Sequence, residues 1–284
     1  SALSAVSAIS AISAWTPGPP NPWTPDMKSL TNLLIVALVT CLAATAFADD
    51  KSAKEIIDAT LEHNALGFQA GSAKLSLEVE DKAGNKRMRK LDVRSKKIDE
   101  ATRTLAELTG PKEIKGQTFL FAENTAGEDD VWMYVPAFKV TRRIEGSQKN
   151  GAFLGSHFTY ADLESRDVKE GNYERLDDEK IGEHEVYVVQ TTPKKGSDSD
   201  YGKVVSYVRK SDSMPLRIRF FDKSGDEAKT LFVEKLDETD DGDTYVEKMT
   251  LRPKDGGYTT IEIASFKGGV ELADSLFSKD QLGK

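Results

Sequence analysis

Polar and apolar residues alternate with a period of two along most of the chain after Gly67. The segment 74–79 (KLSLEV) is an example, and clusters of Gly, Pro, Asp and Asn separate such segments. This pattern is typical of strands joined by short turns, and the lack of long helical segments between them disfavours parallel βαβ units. The alternation therefore predicts an antiparallel meander of twelve strands, at residues 75–79, 88–96, 102–109, 117–123, 131–135, 139–144, 185–192, 203–209, 216–221, 228–236, 244–251 and 259–266.

A helical pattern precedes the strands. Ser52 and Glu55 have the spacing of a capping box, in which each side chain satisfies a free backbone N–H at the start of a helix. Apolar residues then recur at helical spacing, which predicts an amphipathic helix that ends near Asn64.

The strand at residues 131–135 (VWMYV) differs from the others because it is apolar on both faces. One interpretation is a central strand that is covered on both sides. The other is that one of its faces lines a cavity. Apolar runs usually belong to a protein core, which favours the first interpretation.

The first 48 residues contain a targeting signal. Lys28 precedes an apolar stretch at residues 33–42, and the small-residue pattern Ala46-Phe47-Ala48 predicts cleavage after Ala48. The apolar stretch is too short to span a membrane, which takes about 20 residues. We therefore expect a signal peptide at 27–48 and a mature domain at 49–284. Residues 1–26, a low-complexity run followed by a Pro-rich stretch, are interpreted as non-native sequence upstream of Met27, with a genuine extended leader as the alternative.

Cys41 offers a second interpretation of this region. Residues 38–41 (LVTC) partly resemble a lipobox, in which Cys41 would be lipidated and become the mature N-terminus. Thr40 is a poor residue before such a cysteine, and mostly apolar residues separate Cys41 from Asp49. Removal of Cys41 with the signal peptide is therefore favoured over lipid anchoring.

Composition excludes several classes of protein. The chain of 284 residues has 39 Lys+Arg against 47 Asp+Glu, a formal net charge of -8, three His and one Cys. An acidic chain is unsuited to nucleic acid, and one Cys allows neither a disulfide framework nor a Cys-rich metal site. We expect no metal and no cofactor.

Catalytic motifs are also missing from the sequence. It contains no Gly-x-Ser-x-Gly elbow, P-loop, dinucleotide fingerprint or His-Glu-x-x-His. Ser156 and His157 are adjacent but have no identifiable acid partner for a triad. We therefore expect that the protein is not an enzyme, and a role of Ser156 or His157 in turnover would reverse that expectation.

Four spaced blocks resemble one known family. They are Gly116–Leu120, Asp130–Ala137, Arg142–Ile144 and Gly151–Leu163. In this order they resemble the outer-membrane lipoprotein-sorting proteins, which are LolA-like periplasmic lipoprotein carriers, and the resemblance extends over about residues 51–282. His157 departs from the acidic residue expected there.

The resemblance implies a fold and a function. The implied fold is a mainly β, half-open antiparallel barrel of about eleven or twelve strands, with the N-terminal helix and short helices covering its mouth. The implied function is a periplasmic carrier that binds the acyl chains of lipoproteins or lipids and passes them towards the outer membrane, with transient membrane contact. An inner-membrane transporter of the RND type is an implied partner. The alternative is a lipid-sensing or interaction module of the envelope on the same scaffold.

Candidate site residues follow from this resemblance and from the apolar strands. We expect four aromatic side chains to form lipid-binding walls, and the alternative is that they belong to the core of the sheet. We expect two arginines to contact an acidic partner or a lipid headgroup, and the alternative is that they lie on a solvated edge. The wall residues are Phe119, Phe121, Trp132 and Tyr134, and the arginines are Arg142 and Arg143.

Overall fold

The structure is a computed structural model that describes residues 51–62, 70–125, 128–164, 171–239, 242 and 244–284. The predicted signal peptide at 27–48, Cys41 and residues 1–26 lie outside the described residues. Residues 51–284 form one compact unit. Within its described part there is one α-helix, and no helix is long and apolar enough to cross a membrane.

Helix α1 spans Ala53–Leu61 and begins with the predicted capping box. The Ser52 hydroxyl accepts a hydrogen bond from the backbone N–H of Glu55, whose carboxylate accepts one from the Ser52 N–H at 2.8 Å. The apolar side of α1 buries Ile56 and Ile57 against Tyr187, Val189 and Val208 of the sheet. The local helix signals of the sequence are therefore confirmed.

Within the described residues, thirteen antiparallel strands form a single sheet. Neighbours in the sheet follow the order β6-β5-β4-β3-β2-β1-β13-β12-β11-β10-β9-β8-β7, so two meanders meet where β1 pairs with β13. The sheet stays open because β6 and β7 are its two edges. The strands are β1 (Gly71–Glu80), β2 (Lys86–Ile98), β3 (Ala101–Gly110), β4 (Thr118–Ala122), β5 (Asp130–Val135), β6 (Val140–Ile144), β7 (Asn172–Ile181), β8 (His184–Thr192), β9 (Tyr201–Arg209), β10 (Pro215–Asp222), β11 (Glu227–Glu238), β12 (Thr244–Pro253) and β13 (Tyr258–Lys267).

Two details of the predicted fold need correction. The sheet has thirteen strands, and the sequence pattern missed β7. Most side chains of β7 are exposed on both faces, as expected of a charged edge strand, so no hydrophobic alternation marks it. The predicted end of α1 near Asn64 is also late, since the helix ends at Leu61.

The two faces of the sheet are covered by different segments. We call the face that bears Leu77, Phe119, Val131 and Ile261 the inner face, and it carries most of the core. A covering segment, residues 146–164, packs on this face, and the strand register places α1 on the same face. The C-terminal segment, residues 268–284, packs on the opposite, outer face of β3, β4 and β5.

Short 3₁₀ helices make up much of both segments. Short 3₁₀ pieces of this kind are common in connecting segments. Three lie in the covering segment, at Gly146–Asn150, Phe153–Gly155 and Ala161–Leu163, two in the C-terminal segment, at Asp274–Phe277 and Lys279–Gln281, and one before β4, at Lys112–Ile114.

Candidate functional site

An open groove of about 620 Å³ lies on the inner face, between the strands near edge β6 and the covering segment. Its volume is within the range of small-molecule sites, about 300–1,000 Å³. Its walls are mainly apolar, as in most ligand pockets. The lining residues are Arg89, Ile114, Gln117, Met133, Val135, Phe138, Val140, Arg142, Ala152, Leu154, Gly155 and Tyr160.

The apolar wall of the groove comes from β5, β6 and the turn between them. Met133 and Val135 alternate with residues of the outer face along β5, and Val140 begins β6 opposite Val135. Phe138, in the turn, is 77% exposed, and Val140 is 50% exposed. Large apolar side chains are therefore left in contact with water at the rim of the groove, which marks a surface that gains by being covered.

Arg89 and Arg142 are the only charged residues among the described residues that line the groove. The Nη1 atom of Arg89 donates to the Met88 carbonyl at 3.2 Å, while its Nε atom is buried and has no hydrogen-bond partner. Arg142 has no ion-pair partner within 4 Å in the described part of the chain. The groove therefore combines apolar walls with unneutralised positive charge.

The covering segment fills the inner face next to the groove with aromatic side chains. The ring of Phe153 lies 5.1 Å from that of Phe119 and 6.0 Å from that of Phe121, centroid to centroid. Tyr160, which lines the groove, lies 5.6 Å from Phe153 and 6.0 Å from Phe119. Phe119 is fully buried. The covering segment therefore packs directly against Phe119 and Phe121, two of the predicted wall residues.

A buried ion pair fastens the covering segment to the sheet. The ammonium group of Lys229, on β11, lies 2.5 Å from the Asp162 carboxylate, and their side chains are 8% and 2% exposed. Tyr201 donates to the other carboxylate oxygen at 2.7 Å, and Lys229 also donates to the His157 carbonyl at 3.2 Å. Burial, with the nearby Asp162 charge, raises the pKa of Tyr201, so this phenol stays a donor.

A second buried pair lies at the two ends of the covering segment. Lys149 and Glu164 are 3.0 Å apart, with side chains 9% and 6% exposed. Lys149 also donates to the Asp129 carbonyl at 2.7 Å. Both residues belong to the covering segment, so this pair holds the two ends of the segment together, and the bond to the Asp129 carbonyl attaches the segment to the residue before β5.

Ser156 and His157 are not arranged as a nucleophile and its base. The hydroxyl of Ser156 bonds with the backbone of Phe158 in its own turn, and His157 Nδ1 lies 2.8 Å from the Thr259 hydroxyl. Burial and the charge of Lys229 lower the pKa of His157, so its imidazole is neutral at pH 7. The described residues also contain no group of three His, Cys, Asp or Glu side chains that could hold a metal ion.

Trp132 and Tyr134, the other two predicted wall residues, lie on the outer face. They pack with Leu105 and Leu120 under the apolar side chains of the C-terminal segment. The four predicted wall residues therefore form two pairs on opposite faces of the sheet and do not line one surface. Lipid contact by any of them stays a prediction. The side chains that cover the outer pair are Leu272, Phe277 and Leu282.

The two predicted arginines are separated in the same way, because adjacent residues of a strand point to opposite faces. Arg142 lines the groove. Arg143 lies on the outer face with Trp132, where it pairs with the carboxylates of Asp130 and Glu145, the latter at 2.7 Å. The structure therefore gives Arg143 acidic partners and leaves Arg142 beside the apolar walls.

Arg89 is a groove residue that the sequence reasoning missed. It precedes Leu91 and Val93 at alternate positions of β2, so the period of two places it on their face of the sheet. Its place at the end of the alternating apolar positions of β2 was the sequence signal that could have identified it. Tyr160 lies within the family block Gly151–Leu163, and no local signal of the sequence predicts its position at the groove.

Comparisons with known proteins agree with this architecture. A family model described as an uncharacterized protein matches residues 100–284. The match covers more than half of the chain, which belongs to this family. No curated protein matches the chain.

Solved structures identify the broader group. A domain from Vibrio parahaemolyticus described as an outer membrane lipoprotein-sorting protein is 26% identical, with a TM-score of 0.75, and the match covers 82% of this chain and 98% of that one. A DUF1329 family protein from Desulfovibrio piger is 25% identical, with a TM-score of 0.74 and coverage of 81% and 97%. A LolA superfamily protein from Nitrosomonas europaea, 20% identical, has the same fold, with a TM-score of 0.64 and coverage of 82% and 100%. The predicted resemblance to LolA-like lipoprotein-sorting proteins is confirmed.

Proposed function

We propose that this protein is a non-enzymatic carrier that binds acyl chains in the groove of the inner face. One observation carries the proposal: an apolar groove stays open to water at Val140 and Phe138, although the covering segment fills the part of the inner face next to it. Each methylene removed from water contributes about 0.8 kcal/mol, so an acyl chain is the ligand that gains most from such walls.

The wider role that we propose follows the sequence reasoning and the relatives. A relative is described as a lipoprotein-sorting protein. We propose that this chain acts in the periplasm, that its cargo is a lipoprotein or a lipid bound for the outer membrane, and that it works beside an inner-membrane transporter.

Binding of uncharged monoacylglycerols with 8, 10 and 12 carbons tests the proposal. Measured by calorimetry below their micelle concentrations, affinity should rise about fourfold per methylene until the groove is filled. A lack of chain-length dependence, or of binding, would exclude an acyl site.

A matched pair of variants locates the chain. Val140→Asp places a carboxylate in the groove wall at an edge position that is already half exposed, and we expect about tenfold weaker binding. Val270→Asp, at another exposed valine, lies outside the groove and should bind as the parent does. Equal affinities of the two variants would place the chain elsewhere.

Transfer separates a carrier from a sensing module. The mature protein should speed movement of a fluorescent lysolipid from donor to acceptor vesicles, and Val140→Asp should remove this effect. Tight binding without transfer would favour the interaction module instead.

A further inference from the structure

We infer that the groove selects amphiphiles with an anionic head, and that Arg89 and Arg142 form the subsite for that head. The inference rests on the proposed function, because it specifies which amphiphile the acyl groove takes. The ligand class is a single acyl chain that ends in a phosphate or carboxylate group.

The charge of the groove is the first argument. The whole chain has a formal net charge of -8, yet the lining residues that the structure describes include two arginines and no Asp or Glu. A cationic site with low-dielectric apolar walls attracts anions more strongly than the same charges would on an open surface. An acidic protein that keeps such a site has a surface complementary to a negative head.

The hydrogen bonding of the two guanidinium groups in the groove also supports an anionic ligand. Several arginines outside the groove each bond to a carboxylate: Arg143 to Glu145, Arg175 to Asp178, Arg209 to Asp212 and Arg219 to Glu227. Arg89 instead has a buried Nε atom without a hydrogen-bond partner, a state that it shares with Arg217 of β10, and Arg142 is exposed and has no ion pair among the described residues. A buried donor without a partner costs free energy, and a movement of the Arg89 side chain towards a bound anion would recover it.

The position of these groups is the third argument. Arg142 lies on β6 between Val140 and Ile144, and Arg89 lies on the face of β2 that continues into Leu91. Each charge therefore sits beside apolar wall, which suits a molecule that changes from apolar to anionic along its length. Guanidinium groups can bind phosphate and carboxylate oxygens with two parallel hydrogen bonds.

Three lauroyl ligands with the same chain test the inference by calorimetry. They are lysophosphatidylglycerol, which carries a phosphate, laurate, which carries a carboxylate, and monolauroylglycerol, which is uncharged. We expect the parent protein to bind an anionic ligand at least about tenfold more tightly than the uncharged one, as charge-assisted hydrogen bonds imply. Preference for lysophosphatidylglycerol alone identifies a phospholipid head, and an equal preference for laurate identifies a general anion subsite.

Adjacent arginines supply the matched variants. Arg142→Gln should remove about tenfold of affinity for the preferred anionic ligand and leave monolauroylglycerol binding within about twofold. Arg143→Gln, one residue further along β6 but on the outer face, should change neither affinity. Arg142→Lys keeps the charge without the paired donors and should retain part of the preference.

The outcomes separate this inference from the proposed function. Equal affinity for all three ligands would overturn the anionic subsite and leave an acyl carrier. Preference that persists in Arg142→Gln and in Arg89→Gln would also overturn it. Failure of all three ligands to bind would exclude the acyl groove itself.

Discussion

The covering segment and the C-terminal segment perform similar packing tasks with different chemistry. Both lie across strands of one sheet and both contain short 3₁₀ helices. The C-terminal segment is held mainly by apolar side chains, with Lys96 donating to the Leu272 carbonyl at 2.6 Å as a polar contact. The covering segment adds two buried ion pairs to its aromatic packing.

Apolar packing and buried ion pairs affect a segment differently: the first mainly stabilises it, and the second mainly fixes its position. Apolar burial stabilises a segment in proportion to area but is non-directional. Buried ion pairs contribute little net stability, yet a displaced partner leaves a charge without compensation, so they strongly disfavour alternative positions. Of the two buried pairs, Lys229–Asp162 joins the covering segment to the sheet, so it holds in place the segment that lines the groove.

Breaking the Lys229–Asp162 pair should have the largest effect. Lys229→Met leaves the Asp162 carboxylate 2% exposed and without its cation, and we expect a loss of about 3–5 kcal/mol in the free energy of unfolding. Urea denaturation measures this loss. Hydrogen exchange should show the increase in exposure concentrated in residues 146–164.

A surface pair provides the control for that prediction. Lys254 and Asp226 are 3.5 Å apart with side chains 60% and 70% exposed. Lys254→Met should cost less than about 0.5 kcal/mol, because exposed ion pairs are worth little. If the two variants were equally stable, the buried pair would not anchor the covering segment.

The apolar anchor of the C-terminal segment comes next in size. Leu282 is 7% exposed, and Leu282→Ala should lower the free energy of unfolding by about 2–3 kcal/mol. Leu276, in the same segment but 38% exposed, should tolerate alanine within about 0.5 kcal/mol. Acyl binding in the groove should be unchanged in both variants, and a change would contradict the separation of the two faces.

Local patterns of the sequence were sufficient to predict most of the fold. Alternation identified strands whose faces differ in burial, and the Ser52–Glu55 spacing identified the start of α1. β7 escaped because strand formation at an open edge needs backbone pairing but no buried face.

The candidate site was less predictable because it depends on contacts far apart in sequence. Alternation places Arg142 and Arg143 on opposite faces, but it does not say which face is covered. That depends on Phe277 and Leu282, more than a hundred residues away, which cover the outer face beside Trp132. The two interpretations of residues 131–135 could not be decided locally for the same reason.

Tyr201 tests how much one neutral donor adds to the polar anchor. Tyr201→Phe removes the hydrogen bond of 2.7 Å to Asp162 and should cost about 1.5–2 kcal/mol, since a buried carboxylate loses a donor. Tyr258→Phe is the matched control, because Tyr258 makes a bond of the same length to Glu78, whose side chain is 31% exposed. Urea midpoints that fall equally in the two variants would show that burial of the acceptor is irrelevant.

Substitution of His157 should have the smallest effect, a change in how the stability of the protein depends on pH. The pKa of His157 in the folded protein lies below the ordinary value of 6.5, because burial and the charge of Lys229 disfavour the protonated ring. The unfolded chain therefore binds more protons below pH 6.5, so this stabilisation is complete above pH 6.5 and is lost as the pH falls towards the folded pKa. Urea midpoints at pH 7 and pH 5 should differ more for the parent than for His157→Gln, which shares every other titrating group. Parallel losses in the two proteins would show that folding does not lower the pKa of His157.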